Sequence, residues 1–131
     1  MRWADVLMDE RLVHVRRSIA KSRQDRYIPM VPVLHEWMEW ATAHSVPLPA
    51  SSFLERWEVV RRACGLWKED WPADGTRHTF ASNHLAVYGT DATKEALGHG
   101  NHEMLFKHYR VLVKRAEAEE FFGLSPAKLG C

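Results

Sequence analysis

The chain has 131 residues, of which 46% are hydrophobic and 27% are charged. This balance is ordinary for a soluble globular protein, and the length suits one domain with a sizeable core. No apolar run approaches the roughly 18 residues of a membrane span, and the N-terminus lacks the apolar region of a secretory signal. The two distant cysteines, Cys64 and Cys131, make no disulfide framework. The composition therefore indicates a reducing, cytoplasmic setting with no membrane partner.

A basic β-hairpin is predicted near the N-terminus. Residues 11–16 alternate as a strand does, and residues 27–29 form a second short strand that Pro29 ends. The net charge is only +1, but cations concentrate between the strands, with Lys21 at or near the tip. This stripe is compatible with DNA phosphate contact, and equally with a plain solvated hairpin. Its candidate DNA-binding residues are Arg16, Arg17, Arg23 and Arg26.

From Val31 onward the apolar period changes to that of a helix. The first helix has a core stripe at Leu34, Trp37, Met38 and Ala41. In the second, which Ser51 can cap and Gly65 stops, one face is shared by Phe53, Trp57, Val60 and Cys64.

Four more helices follow. A clean amphipathic one begins with Arg77 in its first turn and ends at Gly89, and a short one closes at Gly98. The next places Tyr109 on a stripe with Leu105 and Leu112, and the last spans roughly residues 114–122. The predicted fold class is therefore mainly α with one small antiparallel β-hairpin, in a domain of residues 1–122 followed by a tail of residues 123–131.

Common catalytic motifs are missing. The zincin pattern would need a histidine at Phe106, after His102, or at Glu39, after His35, and there is no Cys-x-x-Cys pair. There is also no glycine loop of the kind that cradles phosphates and no Gly-x-Ser-x-Gly elbow. These absences disfavour a zinc site, an ordinary hydrolase and a nucleotide-binding protein.

Three ordered motifs remain: Thr-Arg-His-Thr-Phe-Ala-Ser at 76–82, Leu-Gly-His at 97–99 and His-Tyr-Arg at 108–110. In this order they resemble the C-terminal catalytic domain of the tyrosine recombinase (phage integrase) family. The resemblance extends to Arg2-Trp3-Ala4-Asp5-Val6 and to the hairpin at 19–29, and so covers about residues 2–122. It implies the DNA breaking-rejoining fold, double-stranded DNA as partner, and no metal or organic cofactor.

The family's chemistry maps onto the matching positions. The resemblance implies that Tyr109 attacks a scissile phosphate and forms a 3′-phosphotyrosyl link. Arg77 would hold the non-bridging oxygens and His99 would hydrogen-bond the same phosphate. Lys21 would protonate the leaving 5′-oxygen. Each residue also has a structural reading: Tyr109 as core, Arg77 as an ion-pair partner, His99 at a helix end and Lys21 in a turn.

Two departures from the family pattern concern the catalytic set. The family's first catalytic arginine would lie several residues before Trp3, off the start of this chain, and we expect no other residue here to take its place. By analogy with other electrostatic donors, its loss would slow the reaction about 10²–10³-fold or more. The second departure is Asp74, where many members have a histidine. Asp74 cannot donate a proton to phosphate at neutral pH, but it could orient Arg77.

The sequence therefore predicts site-specific DNA recombination or integration, in a phage or mobile-element context, by a partial catalytic domain that the missing arginine could leave inactive. One alternative is a non-catalytic remnant that binds DNA or docks onto a full-length recombinase, and another is a plain helical interaction domain. The resemblance also implies a tetramer on DNA in which the segment around Phe121 and Phe122 passes between protomers. The same two phenylalanines could instead pack on their own core.

Overall fold

The structure is a computed structural model that describes residues 2–20, 23–48, 53–67, 71–72, 74–98 and 113–131. The described part is mainly helical, with one three-stranded antiparallel sheet. The coarse fold class predicted from the sequence is therefore confirmed.

The sheet contains β1 (Val6–Leu7), β2 (Leu12–Val15) and β3 (Arg26–Pro29), in that spatial order. The predicted hairpin is confirmed as β2 and β3, which pair antiparallel with Val15 opposite Arg26. Strand β1 was not predicted, because two residues are too few for an alternating pattern. A 3₁₀ turn at Trp3–Asp5 precedes it.

Within the described ranges, five α-helices follow the sheet: α1 (Pro32–Ala43), α2 (Phe53–Ala63), α3 (Gly75–Leu97), α4 (Arg115–Phe122) and α5 (Pro126–Leu129). Helices α1 to α4 agree with the predicted segments. The tail helix α5 was not predicted, although Ser125 marks its start by accepting a bond from the backbone N–H of Lys128. The helix predicted after Asn101 lies outside the described residues.

Helix α1 is tied to both ends of the described chain. The indole N–H of Trp37 donates to the carbonyl of Leu124 at 2.8 Å, and His35 Nε2 lies 3.2 Å from the carbonyl of Met8. Its predicted core stripe is half-buried. The shared face of α2 is more open, since Phe53 and Val60 are about half exposed and Trp57 packs edge-on against Trp71.

Helices α3 and α4 pack closely against each other. The ring of Phe122 makes edge-to-face contacts with Phe80, His84 and Tyr88 of α3, at centroid distances of 5.4–6.2 Å. Ala81 of α3 and Ala118 of α4 are completely buried. Phe122 thus packs within its own chain, and α4 covers the face of α3 that the apolar periodicity had marked.

Candidate functional site

Arg77 lies in the first turn of α3, and its Nη2 donates a 3.1 Å hydrogen bond to the carbonyl of Leu97 at the other end of the same helix. In a straight helix these two residues would be about 30 Å apart, at a rise of 1.5 Å per residue. The contact therefore requires the helix to fold back on itself. It brings the motif at 76–82 against Leu97, the first residue of the Leu-Gly-His motif.

The fold-back occurs at Gly89, whose φ of 80° and ψ of −177° are not helical. A side chain would strain this conformation, so glycine is required here. The predicted break at Gly89 is thus confirmed, and α3 consists of two helical halves. The second half ends at Gly98, which caps it in the left-handed conformation, as the sequence indicated.

A short hydrogen-bond relay joins the two halves. The Thr93 hydroxyl donates to the carbonyl of Gly89 at 2.7 Å, and His84 Nδ1 lies 2.8 Å from the same hydroxyl oxygen. Because that hydroxyl has one proton and gives it to Gly89, His84 must donate, so its proton is on Nδ1. The bond between His84 and Thr93 is buried, and Thr93 is fully inaccessible.

The surroundings of His84 favour its neutral form. Its ring is buried among the rings of Phe80, Tyr88 and Phe122. Burial lowers the pKa of His84, because a charged imidazolium would lose its hydration there. The sequence placed His84 on the apolar stripe but gave no sign of its hydrogen bond to Thr93.

A second guanidinium reaches the same end of α3. Arg26, from β3, occupies the space where a β-carbon on residue 98 would lie, with its Nη2 3.2 Å from that position. Two features therefore require glycine at position 98: its φ of 67° and the close approach of Arg26. Among the described residues, no carboxylate forms an ion pair with Arg26.

The other hairpin arginines have different surroundings. Arg16 is directed inward, where its Nη2 lies 2.7 Å from Oδ2 of the buried Asp5. That hydrogen bond is the main reason why the pKa of Asp5 is lowered. Arg17 and Arg23 are exposed and line an open hollow with Ser18, Ile19 and Ala20.

The hairpin is braced by Asp25 at the end where the loop joins its two strands. This carboxylate accepts from the backbone N–H of Arg17 at 3.1 Å and lies 3.0 Å from His14 Nε2. These two contacts lower the pKa of Asp25, the backbone bond more than the histidine. His14 also stacks on Tyr27 of β3. Strands β2 and β3 are therefore held in register beside the segment that contains Lys21.

Asp74 sits directly before α3 in the left-handed conformation, with a φ of 55°. Its carbonyl accepts from the backbone N–H of His78 at 2.9 Å. Its exposed carboxylate makes no hydrogen bond or ion pair with any described residue, Arg77 included.

The remaining predicted site residues, Lys21, His99 and Tyr109, lie outside the described residues. Two of them directly follow a described residue in the sequence, since His99 follows Gly98 and Lys21 follows Ala20. The described part of the candidate site therefore consists of Arg77, Arg26 and the end of α3. The placement of Arg26 at this end was not foreseen, because the sequence grouped it with the other hairpin arginines.

Comparisons with family models, with curated proteins and with solved structures give no match to this chain. No described helix is both long and apolar enough to cross a membrane. Within the described ranges, no three histidine, cysteine or acidic side chains are grouped so that they could hold a metal ion.

Proposed function

We propose that this chain is a catalytic domain of the tyrosine recombinase type, which cleaves and rejoins double-stranded DNA through a covalent phosphotyrosine. One observation supports the proposal above all: Arg77 contacts Leu97, so that two motifs 20 residues apart in sequence meet in space. Sequence order alone did not require this contact. A shared phosphate site needs it, because Arg77 and His99 would have to reach the same oxygens.

The proposed reaction uses four side chains. Tyr109 Oη attacks the phosphorus and the P–O5′ bond breaks, leaving DNA joined to the protein through its 3′-phosphate. The phenol proton goes to solvent, and Lys21 gives a proton to the departing 5′-oxygen. Arg77 and His99 neutralise the charge that grows on the non-bridging oxygens. Rejoining reverses these steps without ATP, since the phosphotyrosine keeps the energy of the phosphodiester.

The fold supports a positioning role for Arg77. Its bond to the Leu97 carbonyl holds the guanidinium beside the residue that precedes Gly98 and His99. The planar fork of an arginine matches two phosphate oxygens, which a lysine cannot do. A preorganised donor of this kind typically contributes about 10²–10³-fold to a rate.

Covalent trapping tests the proposal without knowledge of the target site. The protein is incubated with nicked duplexes that contain a randomised segment upstream of the nick. Cleavage near the nick releases a short fragment that diffuses away, so the protein stays attached and migrates with the DNA under denaturing conditions. We expect an adduct that Tyr109→Phe abolishes and that Tyr88→Phe, a matched loss of a phenol oxygen beside Phe122, leaves intact.

The other outcomes select the alternatives. Without an adduct, DNA binding that falls steeply with salt and needs Lys21 and Arg77 would identify a non-catalytic DNA-binding domain. If the experiment shows neither an adduct nor salt-sensitive binding, the remaining alternative is a helical interaction domain.

A further inference from the structure

A small apolar cavity lies where the junction of β3 and α1 meets α3, and its volume is about 150 Å³. The junction contributes Met30 and its proline neighbours, the first half of α3 contributes His84 and Tyr88, and the second half contributes Glu95 and Ala96. The cavity therefore spans the break in α3. A protein cavity of this size can hold one benzene ring.

His84 has an unused hydrogen-bond acceptor. The residue lines the cavity and is only 5% exposed. Its Nδ1 donates to the hydroxyl of Thr93, so the neutral ring keeps a lone pair on Nε2. No described residue donates to this nitrogen. Because a buried acceptor without a donor costs free energy, a ligand that donates to Nε2 gains affinity that a purely apolar ligand lacks.

Glu95 places a negative charge at the rim of the cavity. Its exposed carboxylate forms no hydrogen bond or ion pair with any described residue, including Arg26, which packs against Gly98. Apolar walls with one acidic group at the rim fit a ligand whose apolar part enters the cavity and whose cation stays at the edge. The same rim repels a carboxylate, so ligands of opposite charge are told apart.

We propose that this cavity binds a small aromatic amine whose ring has a hydroxyl donor, the chemistry of a hydroxyphenylalkylamine. The ring of the ligand lies against the junction wall and against Tyr88, which is 39% exposed. The ligand hydroxyl donates to Nε2 of His84, and the ammonium pairs with Glu95. None of these contacts involves Arg77 or Tyr109, so ligand binding does not depend on the proposed DNA chemistry.

Titration with tyramine tests the site in the full chain, isotope-labelled at the methionine methyl groups. Met30 lines the cavity, and the loss of its methyl signal in Met30→Leu assigns that signal. We expect the signal to shift saturably with a Kd of about 1 mM, an affinity within reach of a ligand this small. Met38 of α1, which does not line the cavity, is the reference. A Met30 signal that tyramine leaves in place would overturn the proposal.

Three related ligands separate the proposed contacts. Phenethylamine lacks the hydroxyl and should bind about fivefold more weakly than tyramine, as for one neutral hydrogen bond. p-Cresol lacks the ammonium and should bind about threefold more weakly, as for one exposed ion pair. 4-Hydroxyphenylacetate has a carboxylate instead of the ammonium and should bind most weakly of all. Equal affinities for tyramine and 4-hydroxyphenylacetate would rule out the aromatic amine as the ligand class.

Two substitutions locate the site within the chain. Glu95→Gln should remove the preference for tyramine over p-cresol, whereas Glu55→Gln, which neutralises an exposed carboxylate of α2 away from the cavity, should keep it. Ala96→Leu fills part of the cavity and should abolish the Met30 shift. An Ala96→Leu variant that melts as the parent does and still binds tyramine would contradict the site. If that variant fails to fold, the comparison of Glu95→Gln with Glu55→Gln decides.

An apolar side chain from a second copy of the chain is the rival occupant. In that case tyramine would leave the Met30 signal in place, and sedimentation would show self-association that Ala96→Leu abolishes. This result would overturn the small-ligand proposal and assign the cavity to contact between copies.

Discussion

His84 donates through Nδ1 to the hydroxyl of Thr93, 2.8 Å away, and this buried bond joins the two halves of α3 across Gly89. The same hydroxyl donates onward to the Gly89 carbonyl. One threonine hydroxyl thus accepts from a buried imidazole and donates to the carbonyl of the residue at which the helix breaks. The relay spans the break at Gly89, and the fold-back at that break brings Leu97 to Arg77.

Replacing Thr93 by valine keeps the shape of the side chain and removes the relay. We expect Thr93→Val to lower the free energy of unfolding by about 1–3 kcal/mol, since the buried N–H of His84 loses its acceptor. Thr93→Ser keeps the hydroxyl and should lose less, about 1 kcal/mol for the missing methyl. Urea unfolding measures both. Equal losses in the two variants would show that packing, and not the relay, holds the halves together.

The burial of His84 makes stability depend on pH. Burial lowers the pKa of His84 from its ordinary 6.5, so the folded chain resists a proton that the unfolded chain accepts. The contribution of neutral His84 is therefore complete above about pH 6.5 and declines as the pH falls below that value. We expect urea midpoints to drop on acidification less steeply in His84→Gln than in the parent. Parallel pH profiles for the two proteins would contradict this account.

Gly98 offers a test of the close approach of Arg26. Gly98→Ala should cost about 1–2 kcal/mol for the left-handed backbone, and more because the new methyl group displaces the guanidinium. Gly65 is a matched control, with a φ of 71° and no atom within 4 Å of an added β-carbon. Thermal melting should therefore show a larger loss for Gly98→Ala than for Gly65→Ala. Equal losses would mean that Arg26 moves aside freely.

The contact between Asp5 and Arg16 should stabilise the sheet in a pH-dependent way. Because the pKa of Asp5 is lowered from its ordinary 3.8, the contribution is present above about pH 4 and fades as the pH falls through the folded value. We expect Arg16→Gln to lower the urea midpoint near neutral pH and to differ less from the parent in acid. A difference that stays constant with pH would point to packing of the arginine stem.

Local signals predicted the elements well where the chain is long and periodic. Gly89 and Gly98 marked the limits of the two halves of α3, because positive φ is a local property that the residue type reveals. The two-residue β1 and the four-residue α5 were missed, since neither is long enough to show a period. Val60, on the shared face of α2, is half exposed, which shows a limit of predicting burial from an apolar pattern. An apolar stripe marks a face that can pack, but burial needs a neighbour that the sequence does not name.

The sequence likewise predicted some residues of the candidate site and could not assign others. The ordered motifs named Arg77, His99, Lys21 and Tyr109 as a set through their resemblance to the tyrosine recombinase family. Of these, only Arg77 lies in the described part of the chain. The sequence could not say which hairpin arginine approaches the site, since Arg16, Arg17, Arg23 and Arg26 look alike in a linear charge pattern.

By itself, the sequence determined the helical character of the chain, the hairpin and the glycine breaks, because each depends on contacts within a few residues. The tertiary structure decided which arginines face which partners. It pairs Arg16 with the buried Asp5 and brings Arg26 and Arg77 to the Leu97–Gly98 peptide. The physical reason is that these contacts depend on the fold-back at Gly89 and the path of β3. Both bring together residues that no local pattern relates.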